Sequence, residues 1–173
     1  MAPSNNEKST FLAKLRAIKE YTPEEIDRPV IEDILDVGRW TGSGVNRQPW
    51  EVVVVEDPSV KEKFGDWGAK PAATAGVVFL IVSTSDDVAF DEGRLAERLC
   101  LAAAAHDLGS TVATLKNDGP DNAKSLLGIP SDKRAKTVVA VGHTDVEARR
   151  ARPPRPDGGA RKPITEFAHW ERY

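Results

Sequence analysis

One cysteine and one methionine in 173 residues leave this chain with very little sulfur. Cys100 has no second cysteine to pair with, which excludes an internal disulfide and a cysteine-based metal cluster. It sits among Leu99, Leu101, Ala102 and Ala103, so it reads as a buried structural thiol. There is no large excess of either charge: 24 Lys and Arg face 27 Asp and Glu, a net charge of -3, which argues against a general nucleic-acid binder. No apolar run approaches the roughly 18 residues that cross a bilayer. Residues 1–8 show no charged stretch followed by an apolar one, so the chain is expected to lack a signal peptide and to be cytoplasmic. The histidines are few, His106, His143 and His169, and share no spacing with carboxylates that marks a metal site; each reads as a packing or surface residue.

What is present is an amide-rich loop. Gly42, Ser43, Gly44, Asn46, Gln48, Pro49 and Trp50 lie between an apolar-periodic segment and the strand-like run 51–55. Glycine lets a backbone approach a ligand. The amides of Asn46 and Gln48 both donate and accept, Pro49 keeps the loop out of a sheet, and Trp50 anchors its exit. Such a loop suits a flat heterocycle with alternating donors and acceptors along its edge. The plainer alternative is a simple turn before a strand.

Periodicity outlines the rest. A helix over 9–21 is expected, with Ser9 or Thr10 as N-cap and Pro23 ending it. A second follows Asp27, with Pro29 in its first turn and Ile31, Ile34 and Gly38 on one face. A short helix follows 57–59, and 69–76 reads as loop. The run 77–82 is apolar throughout, the pattern of a strand covered on both faces. The longest helix is expected over 87–107, where Asp86, Asp87, Asp91 and Glu92 favour the helix dipole and Leu108-Gly109 stops it. Strands at 111–115 and 137–142 bracket a short helix at 121–127. Beyond Asp145 the composition becomes rich in Arg, Pro and Gly, and 147–159 reads as extended or loosely ordered. A helix over 164–172 carries Ile164, Phe167 and Trp170. Two readings of this tail stand open: an arm crossing to a second subunit, or a loop returning to its own core. The basic run at 149–155 could attract a phosphate, but in an acidic chain it reads better as part of a solvated or dimer-spanning arm. Trp40 and Trp67 read as core or interface residues. The whole is an α+β domain.

Three separated pieces resemble the FMN-dependent nitroreductase family. The first, Leu15-Arg16-Ala17-Ile18-Lys19-Glu20-Tyr21, is similar to an opening motif of two basic residues, a serine, another basic residue and an aromatic. The second, Asn46-Arg47-Gln48-Pro49-Trp50, resembles the signature Asn-x-Gln-Pro-Trp followed by a strand. The third runs from Asp91 to Ser110 and is similar to the family's central helix. The closing stretch from Arg161 to Glu166 adds a fourth, weaker piece.

The resemblance implies a short member of that family: residues 1–173 as a single domain with a mixed central sheet of about four to five strands, helices on its flanks, and an arm at about 146–173 exchanged with a second subunit. It implies FMN as cofactor, NAD(P)H as electron donor, a nitroaromatic, quinone or similar flat acceptor, and a homodimer with the flavin at its interface. By the same resemblance Arg16 and Lys19, expected three apart on one helix face, hold the phosphate with Arg161 and Lys162, while Ser43, Gly44, Asn46 and Gln48 line the ring. No catalytic side chain is implied, because the hydride chemistry belongs to the cofactor. Leu15 and Ala17 depart from the motif, at the first basic residue and the serine. That departure keeps a second reading in play: a flavin-binding or flavin-storage protein with little turnover.

Overall fold

A computed structural model describes residues 6–84, 89–154 and 161–173. Asp86, Asp87 and Arg155, singled out above, lie outside the described residues. Four strands form the sheet: β1 (Trp50–Val55), β2 (Val77–Ser83), β3 (Gly109–Thr114) and β4 (Arg134–Gly142), in the order β1-β2-β4-β3. All three pairings are antiparallel, so no parallel pair of the expected mixed sheet occurs among the described strands.

Strand β2, apolar from Val77 to Val82, is central, and all of its residues are buried. Alternation sends Val78, Leu80 and Val82 to one face and Val77, Phe79 and Ile81 to the other. The first face is covered by α3 (Pro58–Asp66), by the 3-10 turn Lys70–Thr74 within the segment read as loop, and by α5 (Gly119–Leu127), with Phe64, Ala72, Leu115 and Ala123 in contact. On the second lie α2 (Arg28–Arg39) and α4 (Ala89–Ala105), which bring Ile31, Ile34, Leu95 and Leu99 against it. Gly38 permits the approach of these two helices: a Cβ there would stand 2.7 Å from Leu99 Cδ2. Acidic Asp91 and Glu92 occupy the first turn of α4, as the dipole favours. Glu92 is also buried, and Arg134 Nε donates to its Oε2 at 3.0 Å.

The first helix is shorter than its periodicity suggests. Helix α1 spans Glu7–Lys14 and is capped by Asn6, whose side chain accepts from Lys8 N and Ser9 N; at Leu15 the backbone turns extended. Residues 15–20 are not helical, so Arg16 and Lys19 do not share a helix face. Tertiary bonds outweigh local propensity here. Ile18 N donates to Ser110 O at 2.8 Å, Asp145 N to Glu20 O at 3.0 Å and Thr22 N to His143 O at 2.9 Å. Tyr21 pairs with Thr144, and its buried Oη lies 2.6 Å from Ile18 O and 3.1 Å from Ala140 O. The apolar residues at 15 and 18 thus serve a strap across the sheet edge.

The other end also departs from expectation. Within the stretch read as loosely ordered, Asp145 accepts from Ala148 N and starts the five-residue helix α6 (Val146–Arg150). Helix α7 covers only Ile164–Phe167 instead of 164–172, and Ile164, Phe167 and Trp170 stand 69%, 75% and 88% exposed. Trp40, read as a core or interface residue, is exposed within this chain beneath the Arg39 guanidinium, whereas Trp67 packs on Phe64.

Candidate functional site

The strap over 15–18, the C-terminal part of α4 and the edge strand β3 enclose a cavity of about 570 Å³. Three cations line it, Lys14, Arg16 and Arg149, against two carboxylates, Glu97 and Asp107. Arg16 Nη1 donates to Ala13 O at 2.7 Å and Leu15 O at 2.6 Å, which ties the guanidinium to the end of α1. Among the described residues its Nη2 and Nε have no hydrogen-bond partner, and they suit a phosphate, which a guanidinium fork binds with two parallel bonds. Among the described strands, β3 pairs only with β4. Since Ser110 O already faces the strap, alternation turns the N–H and C=O of Val112 away from β4 as well. Val112 lines the cavity and is 46% exposed, so its backbone offers a donor and an acceptor to a flat ligand lying along the edge. The hydroxyls of Ser110, Thr111 and Thr144 complete the polar lining.

Cys100 also reaches this cavity. Burial pushes its thiol pKa up, partly opposed by a hydrogen bond with Ser110. Burial therefore favours the protonated thiol over the reactive thiolate.

Gly109 earns its place by proximity and not as the helix stop the sequence suggests. Asp107 takes the left-handed conformation that ends α4, at φ 58°, with Leu108 N donating to Ala103 O. Gly109 already belongs to β3, and a Cβ there would meet Thr144 Oγ1 at 2.6 Å and Ile18 Cγ2 at 2.7 Å.

The amide-rich loop has an unusual backbone. It contains a 3-10 turn at Gly44–Asn46, yet its left-handed residues are Val45, Asn46 and Gln48, at φ 45°, 56° and 47°. Gly42 and Gly44 are not among them. A β-branched residue in that region is a genuine outlier, and such strain clusters at ligand-contacting sites. Ser43 holds the loop closed: its Oγ accepts from Gln48 N at 2.8 Å and its O from Asn46 N at 3.0 Å. The side chains of Asn46 and Gln48 face solvent. Gln48 also lines a second groove, of about 390 Å³, with Leu35, Arg39, Trp50 and Leu95.

Sheet order separates these two places. The loop enters β1 at Trp50, paired with Ser83; the cavity begins at Gly109, paired with Gly142 on the far side of the sheet and at its other end. Three strand spacings make roughly 14 Å across, and the six steps of β2 make roughly 20 Å along. Within one chain, Arg16 lines the cavity and none of Ser43, Gly44, Asn46 or Gln48 does. Lys19 is exposed beside the strap and absent from the lining, and Arg161 and Lys162 are exposed next to α7. The sequence reading missed Lys14, Ser110, Thr144 and the strap itself, whose signal is Tyr21 with Ile18 three residues before it.

Among the described residues no group of His, Cys, Asp and Glu could hold a metal ion, and no helix is long and apolar enough to cross a membrane. His106 instead meets Asp33 at 2.7 Å, and His143 faces Glu24 at 3.8 Å.

Known proteins share this architecture. The sequence profile of the Nitroreductase family matches residues 12–88, which include both Arg16 and the amide-rich loop. A Thermus thermophilus protein named NADH dehydrogenase is 26% identical over 78% of this chain and 85% of its own length. A Staphylococcus haemolyticus protein named as an NAD(P)H nitroreductase is 32% identical, over 43% of this chain and 36% of its own. Among solved structures, an FMN-dependent nitroreductase of Clostridium difficile superposes with a TM-score of 0.78 over 94% of this chain and 98% of that one, at 19% identity. Residues 12–88 thus match the Nitroreductase family profile, and nearly the whole chain shares the fold of a solved nitroreductase.

Proposed function

We propose that the protein is an FMN-dependent oxidoreductase that takes electrons from NAD(P)H and passes them to a nitroaromatic, quinone or similar flat acceptor in the cytoplasm. The observation that carries this reading is the cationic cavity around Arg16 on the β3 edge, in a chain whose relatives include proteins named for NAD(P)H chemistry. The residues present fit FMN: a guanidinium with free donors at one end suits a phosphate dianion, and an edge strand with an outward N–H and C=O suits a ring bearing both donors and acceptors. When bound, FMN supplies hydride transfer, and the protein supplies binding, orientation and electrostatics.

In this proposal Arg16 and Lys19, with Arg161 and Lys162 of the C-terminal arm, hold the phosphate. Ser43, Gly44, Asn46 and Gln48 orient the ring. Because the loop and the cavity occupy opposite corners of one sheet, a single flavin needs the cavity of one copy and the loop of another, so the working unit is a homodimer. The arm at about 146–173 supports the same unit. The apolar side chains of Ile164, Phe167 and Trp170 are too exposed for a finished surface, and a second subunit would cover them. Each chain remains one domain, 1–173, with the arm reaching across. Val45 and its strained neighbours keep the amides pointed outward, ready for the facing copy.

A second reading, a flavin-binding or flavin-storage protein of the same fold, is favoured by Leu15 and Ala17, which supply neither charge nor hydroxyl at two motif positions. Anaerobic addition of NADH or NADPH to the FMN-loaded protein separates the two. Rapid bleaching, reversed by a quinone, supports the oxidoreductase. A stable yellow colour supports storage, and a protein that cannot be loaded with FMN ends both readings.

A further inference from the structure

We propose that Arg149 is a phosphate ligand of the bound FMN, replacing the contacts that Leu15 and Ala17 cannot make. This rests on the FMN reading above and adds to it a residue from outside the resembling motifs. In the sequence Arg149 belongs to a basic run that reads as part of an arm. The structure separates the described members of that run. Arg150 is exposed and absent from the cavity, and Arg152 Nη1 is paired with Glu20 at 3.2 Å. Arg149 is half-buried, lines the cavity with Arg16, and has no carboxylate partner among the described residues.

Its position is fixed from two sides. Helix α6 starts at Asp145, whose N–H donates to Glu20 O at the end of the strap, and the neighbouring Thr144 pairs with Tyr21. Arg16 precedes this junction and Arg149 follows it, so the junction that places one cation also places the other.

Charge makes Arg149 decisive. With Lys14, Arg16 and Arg149 against Glu97 and Asp107, the lining carries a formal charge of about +1; without Arg149 it is neutral. A phosphate monoester brings between about -1.5 and -2 at neutral pH, and a neutral lining offers it little. Arg16 has already committed Nη1 to backbone carbonyls, so a second guanidinium is the natural source of a further bidentate grip.

The test compares FMN with riboflavin, which lacks the phosphate, by flavin-fluorescence titration of wild type, Arg149→Ala, Arg149→Lys and Arg150→Ala. Arg149→Ala is expected to weaken FMN about tenfold, the loss of one partly exposed charge-assisted contact, and to leave riboflavin unchanged. Arg149→Lys recovers part of the affinity, Arg150→Ala matches wild type, and the salt dependence of FMN binding becomes shallower in Arg149→Ala. Unchanged FMN affinity in Arg149→Ala, or an equal loss for riboflavin, overturns the assignment while the FMN reading stands. A wild type that binds neither flavin overturns both.

Discussion

Replacing Gly109 by alanine tests how the strap is held. The new Cβ would meet Thr144 Oγ1 at 2.6 Å, Ile18 Cγ2 at 2.7 Å and Ile18 Cβ at 2.9 Å. Real Cβ atoms do not approach so closely, so one side has to move. Ile18 is poorly suited to yield, because its β-branched side chain is stiff and its N–H is bonded to Ser110 O at 2.8 Å. Overpacking of this kind costs about 1–3 kcal/mol, and disturbing the Ile18 hydrogen bond adds roughly 0.5–1.5 kcal/mol. Together they predict a loss of about 1.5–4.5 kcal/mol in urea unfolding, with the slope m unchanged. A second readout is specific to the site. Displacing Ile18 moves Arg16 two residues away, so FMN affinity falls along with stability. A loss below about 0.5 kcal/mol, which is the ordinary range for a surface substitution, would show that the strap does not press on β3 as described.

Gly93→Ala is the matching control, since nothing lies within 4 Å of a Cβ there; it sits within α4, and thermal unfolding is expected to show a gain of about 0.5–1 kcal/mol. Tyr21→Phe leaves the carbonyls of Ile18 and Ala140 without their shared donor and is expected to cost about 1–3 kcal/mol by denaturant titration. Asp57 caps α3, and its hydrogen bonds from the Ser59 hydroxyl and then the Ser59 N–H lower its carboxyl pKa below the ordinary 3.8. A depressed carboxylate stabilises above the ordinary pKa and loses that contribution as pH falls through the depressed one. Asp57→Ala is thus less stable than wild type at pH 7, and the gap narrows below pH about 3.8; a gap of constant size down to acid pH would contradict this role.

Much of the sheet was legible because its side chains obey simple periods. The run at 77–82 announced a doubly covered strand, and Pro29 with Ile31, Ile34 and Gly38 announced α2. The strap was not legible. Leu15 and Ile18 repeat at a spacing that suits a helix, and the Ser110 carbonyl that captures Ile18 N is remote in sequence. Gly109 looked like a helix stop for a related reason, since its neighbours Ile18 and Thr144 come from distant segments. In the loop the left-handed residues are Val45, Asn46 and Gln48; strain imposed on a β-branched residue leaves no mark in composition. Arg16 and the amide-rich loop stand out in the sequence as separate features. Their placement at opposite corners of the sheet follows from the strand order β1-β2-β4-β3, which local patterns do not encode. Arg149 was hidden by its basic neighbours, from which only the turn at Asp145 distinguishes it.

The most direct measurement is a crystal structure of the FMN-loaded protein. The phosphate is expected beside Arg16 and Arg149 of one copy, with the ring edge against the amide-rich loop of a second copy. A flavin bound wholly within one chain, or a phosphate remote from Arg16, would contradict the account.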